Sequence, residues 1–234
     1  MPPDRSHLAA VVMAAGEGTR LRPLTETWAK PVLPIDGRPV IATLLRELES
    51  AGFKAVTVVT GHLAEQIEAL VGEGSGFGLQ IRTVRQAEPL GSADAVRRAL
   101  EDGVRPPILV TAADTVFQPG DVERVAAQWL ESETAGGLAI RQGGRKDQTA
   151  VRVENGRVVE IGAGTAEHTA APLWLLGEEL TGVLGTVPGP PFEIASAVQE
   201  AISVGKEILA LEVGPTRDLT RPADVVANNF PYLS

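Results

Sequence analysis

Along residues 8–140 short apolar, β-branched runs alternate with amphipathic helical patterns, and this alternation restricts the fold more than any other feature of the chain. The runs "LAAVVMA", "AVTVVTG", "LQIRTV", "PPILVTAA" and "AGGLAI" read as strands. Between them, "PVIATLLRELESAG", "LAEQIEALV", "SADAVRRALE" and "DVERVAAQWLE" carry apolar residues at helical spacing. Strand, helix and strand in succession close as right-handed crossovers onto a parallel sheet with helices on both faces. Near residue 148 the pattern changes: in "TAVRVENGRVVEIG" the pair Asn155-Gly156 stands between two alternating runs, a type I′ hairpin signal. The chain then returns to the apolar run "APLWLL", two helices around residues 177–204, the strand "EILALEV" and a last helix opened by Pro222. The predicted architecture is α/β: a Rossmann-like, mostly parallel sheet flanked by helices, with a small antiparallel hairpin insertion in the second half. No repeat, low-complexity tract or linker divides it, so one domain over residues 1–234 is expected.

Charge narrows the function classes. With 30 acidic and 21 basic residues the net charge is -9, which argues against nucleic acid or an anionic membrane as partner, since both need clustered Lys and Arg. The chain has no cysteine, so disulfides, thiolate metal sites and cysteine nucleophiles are excluded, and its three histidines are scattered. "MPPDRSH" has no long apolar segment after Arg5, and no later run approaches a membrane span, so a cytoplasmic location is expected.

Against that acidic background, "MAAGEGTRLRPLTETWAKPVLPI", residues 13–35, places two glycines and several cations directly after the first strand. Open α/β sheets bind ligands outside the carboxyl ends of their strands. Gly16 and Gly18 let backbone N–H groups approach a phosphate, and Arg20 and Lys30 can supply positive charge. The segment is not a Walker A loop, because Lys30 lies well beyond Gly18 and Pro23 and Pro31 interrupt a helix there. Nor is it the dinucleotide fingerprint, whose third glycine is replaced by Leu21. A plain surface loop with solvated arginines is the competing reading.

The segment resembles the signature loop of the sugar-1-phosphate nucleotidylyltransferases, or NDP-sugar pyrophosphorylases, whose pattern is close to G-x-G-T-R-x-x-P-L-T followed by K-P-x-L-P. Ala29 departs from it where a proline often precedes the lysine. The resemblance covers nearly the whole chain and implies that residues 1–147 mainly bind the nucleotide and 148–234 bind the acceptor and close the site. It implies nucleotide contacts from Ala14, Ala15, Gly16, Gly18 and Thr19, and a base contact from Gln86 and Gly91 in "RQAEPLGSADAV". A Gln amide offers a donor and an acceptor to a base edge, and glycine lets a flat ring lie against the backbone. An ordinary helix start with Ser92 as N-cap is compatible with that role. Asp114, ending the apolar strand in "ILVTAADTVF", resembles the first metal-binding and nucleotide-site aspartate of the family. Asp218 in "RDLTRPADV" resembles the second, with Asp224 opening the closing helix, or serving as the metal acid in a shifted register. Two oxygen-only acids suit Mg²⁺, the implied cofactor.

The implied reaction is attack of a sugar-1-phosphate oxygen on the α-phosphorus of a nucleoside triphosphate, with loss of pyrophosphate. In it Arg20 holds the departing pyrophosphate and Lys30 neutralises the reacting phosphoryl group. The acceptor side departs from the family. Where many hexose-1-phosphate enzymes carry Tyr-Gly or Phe-Gly and a later Glu-Lys-Pro, this chain has Gln148-Thr149 and "EIGAGTAEH", without the lysine that reaches the sugar phosphate. Arg145 or Lys146 are candidate replacements, and Glu193 in "PPFEIASAV" is a candidate partner for acceptor hydroxyls, although an acid at a helix start is expected in any case. Phosphocholine, a polyol phosphate or another phosphorylated alcohol is the alternative acceptor, and a catalytically silent regulatory homologue the alternative class. His62 and the glycines of "GEGSGFG" read as structural residues, Trp129 and Trp174 as core or interface packing, and Trp28 as a residue that either shapes the signature loop or stacks on a base.

Overall fold

β1 (Ala9–Ala14) is a strand with both faces covered. Ala10, Val12 and Ala14 enter one core cluster, while Val11, with the partly buried Ala9 and Met13, enters a second on the other face, the period of two that an extended chain imposes. In the computed structural model, which describes residues 8–143, 148–162, 164 and 167–230, these two clusters flank a nine-stranded sheet.

After β1 come α1 (Leu24–Thr27), the short paired strands β2 (Pro34–Ile35) and β3 (Arg38–Pro39), and α2 (Val40–Ser50). Then β4 (Ala55–Thr60), α3 (Ala64–Val71), β5 (Gln80–Arg85), α4 (Ser92–Glu101) and β6 (Ile108–Ala112) complete the crossovers. β1 lies between β4 and β6, β5 lies outside β4, and all four are parallel. Further on are β7 (Thr115–Val116), α5 (Asp121–Leu130), β8 (Gly136–Gln142), the hairpin strands β9 (Ala150–Glu154) and β10 (Arg157–Gly162), and β11 (His168–Leu176). The chain closes through α6 (Glu178–Val183), α7 (Ile194–Ser203), β12 (Ile208–Glu212), β13 (Arg217–Asp218) and α8 (Pro222–Asn229).

The strand order is β5-β4-β1-β6-β11-β8-β12-β10-β9, and only β11 and β10 run against the other strands. The mostly parallel α/β sheet predicted from the alternation is therefore present. Helices α2, α3 and α5 supply one cluster and α4, α6 and α7 the other. In α2 the buried residues Val40, Ile41, Leu44, Leu45 and Leu48 recur at helical spacing, which is why this segment lies on the sheet rather than in it.

The hairpin turns at Asn155 (φ 50°) and Gly156 (φ 73°), between the paired residues Glu154 and Arg157, as a type I′ turn requires. It is not a separate flap. β10 pairs with β12, and β9 also pairs with β11, so the hairpin is stitched into the sheet at two places. Among the described residues no helix is long and apolar enough to cross a membrane.

The two helix starts facing the ligand side are joined directly. Leu90 C=O accepts the Phe192 N–H at 2.7 Å, and Phe192 C=O accepts the Ala93 N–H at 2.8 Å, so the approach to α7 crosses the first turn of α4. Gly91 lies under this crossing with φ 110°, and a Cβ there would stand 2.3 Å from Phe192 O and 2.6 Å from Phe192 N. Gly91→Ala combines a positive φ with overpacking against rigid backbone, and we expect it to cost about 2 kcal/mol or more, read as a lowered urea midpoint with an unchanged slope.

Candidate active site

The loop after β1 is built from short turns. Its prolines break it into a 3₁₀ turn at Thr19–Leu21, the single turn α1, and a second 3₁₀ turn at Lys30–Val32. Side chains next to it hold the backbone in place. The Gln66 carboxamide accepts the Ala29 N–H at 2.8 Å and donates to Thr27 C=O at 2.8 Å, His62 Nε2 donates to Thr25 C=O at 2.8 Å, and Thr25 Oγ1 donates to Gly18 C=O at 2.9 Å. His62 is thus the structural residue its position suggests. The underside carries Leu21 and Leu33 into a third small cluster with Ile35, Val40, Val116 and Leu219.

The two loop glycines serve different ends. Gly18 has φ 63°, and a Cβ there would come within 2.9 Å of Thr25 Cγ2 and 3.3 Å of Lys30 Cβ, so it is required by packing inside the loop. Gly16 has nothing within 4 Å of its would-be Cβ and faces open space. That space is a cleft of about 360 Å³ at the carboxyl ends of the strands. Ala14, Ala15, Gly16, Gly18 and Thr19 line it together with Arg20 and Lys30, and Gln86 and Gly91 line it too, as do Asp114 and Glu193. The cleft thus gathers every predicted nucleotide-site residue. Arg20 is exposed and forms no ion pair among the described residues. Arg85, at the end of β5, is committed elsewhere: it donates to Glu68 at 2.9 and 2.7 Å and holds that carboxyl below the ordinary glutamate range.

Gln86 is buried, and its Nε2 donates to Gly91 C=O at 3.1 Å and to Asp94 Oδ2 at 2.8 Å. Both partners accept only, which fixes the amide orientation and leaves Oε1 as the group available to a ligand. Asp94, 2% exposed in the first turn of α4, is a positioning residue the sequence reading missed. The signal available was a carboxylate on a helical face otherwise lined by alanines and valine. Ser92 does not cap its own helix as expected. Gly91 holds the N-cap of α4, while Ser92 Oγ donates to Glu193 and accepts the Ile194 N–H at 2.9 Å, so it caps α7 instead. Tertiary contact between the two helix starts overrides the local preference.

The two candidate metal acids meet although they are far apart in sequence. β7 pairs with β13, setting Thr115 opposite Asp218, and Asp114 C=O accepts the Leu219 N–H at 3.2 Å. Thr115 Oγ1 stands 2.9 Å from Asp218 Oδ1 and 3.5 Å from Asp114 Oδ1, so the carboxylates lie within one hydroxyl's reach of each other. Each is matched by a cation. Lys30 Nζ pairs with Asp114, and Arg141 Nη1 lies 2.6 Å from Asp218 Oδ2. Asp224 Oδ2 accepts the N–H groups of Thr220 at 2.8 Å and Arg221 at 2.7 Å, capping α8, the role expected of an acid that opens the closing helix. Among the described residues no three acidic, histidine or cysteine groups cluster as a self-sufficient metal site. A pair of carboxylates fits Mg²⁺, which completes its shell with water and phosphate oxygens.

A second pocket of about 330 Å³ adjoins the first, sharing Arg20, Asp114 and Glu193 with it. Arg141, Gln148, Thr149 and Trp174 form its other walls. Arg145 and Lys146 lie outside the described residues. Trp129 and Trp174 are buried in the cores as expected, Trp28 is 55% exposed beyond α1, and the glycine-rich stretch makes the turn between α3 and β5.

A glycine-bearing loop with cations lies at the carboxyl ends of parallel strands, opposite paired aspartates, in an α/β protein, an arrangement chemically suited to a phosphate-bearing ligand. The family described as Nucleotidyl transferase matches residues 9–157, and the chain belongs to it. A glucose-1-phosphate thymidylyltransferase of Streptomyces griseus is 44% identical over 89 residues, which is 38% of this chain and 25% of that protein. The CMP-5'-(3-aminopropyl)phosphonate synthase of Streptomyces rubellomurinus is 35% identical over 144 residues, 59% of this chain and 22% of that protein. The matches thus span about a quarter of the length of these curated relatives. The crystal structure of a UDP-glucose pyrophosphorylase complexed with UDP-glucose has the same fold, with a TM-score of 0.82 at 19% identity, covering 96% of this chain and 98% of that one.

The Gln86–Asp94 contact gives a direct expectation. Asp94→Asn removes the charged acceptor and lets the Gln86 amide turn over, so the KM for the nucleoside triphosphate should rise about tenfold, the scale of one hydrogen bond to a charged group. Turnover at saturation should change little, which steady-state pyrophosphate release will read.

Proposed function

We propose that the chain transfers a nucleotidyl group from a nucleoside triphosphate to a sugar-1-phosphate, releasing pyrophosphate and forming an NDP-sugar. The observation that carries this reading is the junction of the two pockets at Asp114, with Lys30 on the carboxylate and Asp218 beside it. A nucleotide in the first pocket and a phosphorylated acceptor in the second would meet there.

The acceptor phosphate oxygen attacks the α-phosphorus, a new P–O bond forms, and the bond to the bridging oxygen of the β-phosphate breaks. The nucleophile is already anionic at neutral pH, so no general base is needed. What must be overcome is repulsion between polyanions, through positioning and electrostatic stabilisation. Gly16 opens room for backbone N–H groups to approach phosphate. Arg20, without an acidic partner among the described residues, is free to hold the pyrophosphate, and Lys30 faces the reacting phosphoryl group. Asp114 and Asp218 would hold Mg²⁺, which when bound neutralises phosphate charge. The site belongs to a cytoplasmic enzyme on this reading. A phosphorylated alcohol other than a sugar is the second reading for the acceptor, favoured by the absent hairpin lysine and by the phosphonate synthase among the relatives.

Pyrophosphate release should require one triphosphate and one phosphorylated acceptor, stop on addition of EDTA and return with excess Mg²⁺. Lys30→Ala and Asp114→Ala should each lower turnover by at least about 10²-fold with an unchanged circular dichroism spectrum. Folded variants with near-normal turnover would contradict the assignment.

A further inference from the structure

The acceptor pocket has a charge problem that the reaction reading alone does not solve. A phosphomonoester entering it meets Asp114, Asp218 and Glu193. Among the described residues that line this pocket, Arg20 and Arg141 are the two cations, and Arg20 also borders the nucleotide cleft where the departing pyrophosphate would lie. The stretch "EIGAGTAEH" at the end of the hairpin offers no lysine.

Resting on the transfer reading, we propose that Arg141 is the residue that binds the phosphate of the acceptor. Its position is set by rigid structure. Arg141 ends the apolar run of β8, the side chain is 12% exposed, and its guanidinium is held from three directions. Nη1 donates to Asp218 Oδ2 at 2.6 Å and also to Thr216 Oγ1, and Nη2 donates to Ala170 C=O at 2.8 Å. These bonds use three of the five guanidinium N–H groups. Nε is buried out of reach of a ligand, so the second Nη2 N–H is the donor that these bonds leave over where Arg141 borders the pocket. A charge-assisted bond from that N–H to a phosphate oxygen is stronger than one between neutral groups, and the guanidinium keeps its charge at any working pH. Because Asp218 and Ala170 already restrict the side chain, little rotamer freedom remains to be lost on binding. β8 tolerates this charge directly after Leu138, Ala139 and Ile140, all buried, because the guanidinium pairs with Asp218 where the strand borders the pocket.

The test is calorimetric titration of the full chain, in Mg²⁺ buffer, with glucose 1-phosphate, inorganic phosphate and, separately, UTP, dTTP, GTP, CTP and ATP. Wild type, Arg141→Lys and Arg141→Met are compared, with melting temperature as the check on folding. The wild type should bind a phosphate probe, and Arg141→Met should weaken that binding at least tenfold while the affinity for whichever triphosphate binds stays within threefold. Arg141→Lys, which keeps a cation beside Asp218, should fall between the two. In turnover the variants should raise the KM for the acceptor and leave the KM for the triphosphate unchanged. Unchanged phosphate affinity in folded Arg141→Met overturns the assignment, as does failure of the wild type to bind either phosphate probe. Equal loss of phosphate and triphosphate binding in folded Arg141→Lys also overturns it, because that is the signature of a residue that only positions Asp218. Absence of pyrophosphate release by the wild type, with phosphate binding still dependent on Arg141, would instead count against the transfer reading.

Discussion

Two carboxylates can stand within a hydroxyl's reach of each other only if something offsets their repulsion, and the rest of the site is arranged around that need. Asp114 is matched by Lys30, 84 residues away in sequence, and Asp218 by Arg141, 77 residues away. All four side chains are largely but not wholly buried, so the attractions are screened less than surface pairs while some hydration is kept. The four charges cancel. Arg20 is then the cation left over in the nucleotide cleft, and it cannot by itself balance a triphosphate and a phosphorylated acceptor together. That deficit is what a divalent cation held by the paired acids would offset under the proposed reaction.

Neutrality alone would not bring the four groups together. The glycine-rich loop and the β7–β13 pair share one small apolar cluster: Leu21 and Leu33 come from the loop, Val116 follows Thr115, and Leu219 follows Asp218. Burying these side chains against one another fixes Lys30 relative to both acids. α8 and β13 tie the same parts together from outside: Asn229 of α8 accepts the Gly37 N–H at 2.9 Å and donates to Pro34 C=O at 2.8 Å, and Arg217 of β13 pairs with Asp36 at 2.6 Å. The final helix therefore belongs to the site although it contributes no side chain to the nucleotide cleft.

Much of this was legible in the residue pattern. The period-two burial of β1, the helical spacing in α2 and the Asn155-Gly156 turn are local features, dictated by backbone geometry. Asp114 and Asp218 were legible because a carboxylate at the end of an apolar run, or in a motif-like stretch, stands out from its neighbours. Asp94, Arg141 and the true role of Ser92 were not, for one shared reason. Each acts on a partner outside its own element, Gln86 across a turn, Asp218 in the separate β7–β13 sheet and the α7 N-terminus across the helix pair, and nothing in the local pattern names the partner. Gly91 shows the same limit. Its glycine character is visible in the sequence, yet the backbone it accommodates is that of Phe192, 101 positions further on.

The family match ends at residue 157, so it takes in the loop, Gln86, Gly91, Asp114 and Arg141 but neither Glu193 nor Asp218. If the acceptor phosphate is held by β8, recognition of charge lies inside the matched part. The remainder of the pocket, including Trp174 and Glu193, is then left to recognise the body of the acceptor. Under the proposed reaction an anionic phosphorus group is shared by the alternative acceptors, whereas the body differs between one and the next. A rigid strand suits the first task, because the charge is always the same and geometry governs the reaction. The later elements are free to vary with the second without disturbing the paired acids.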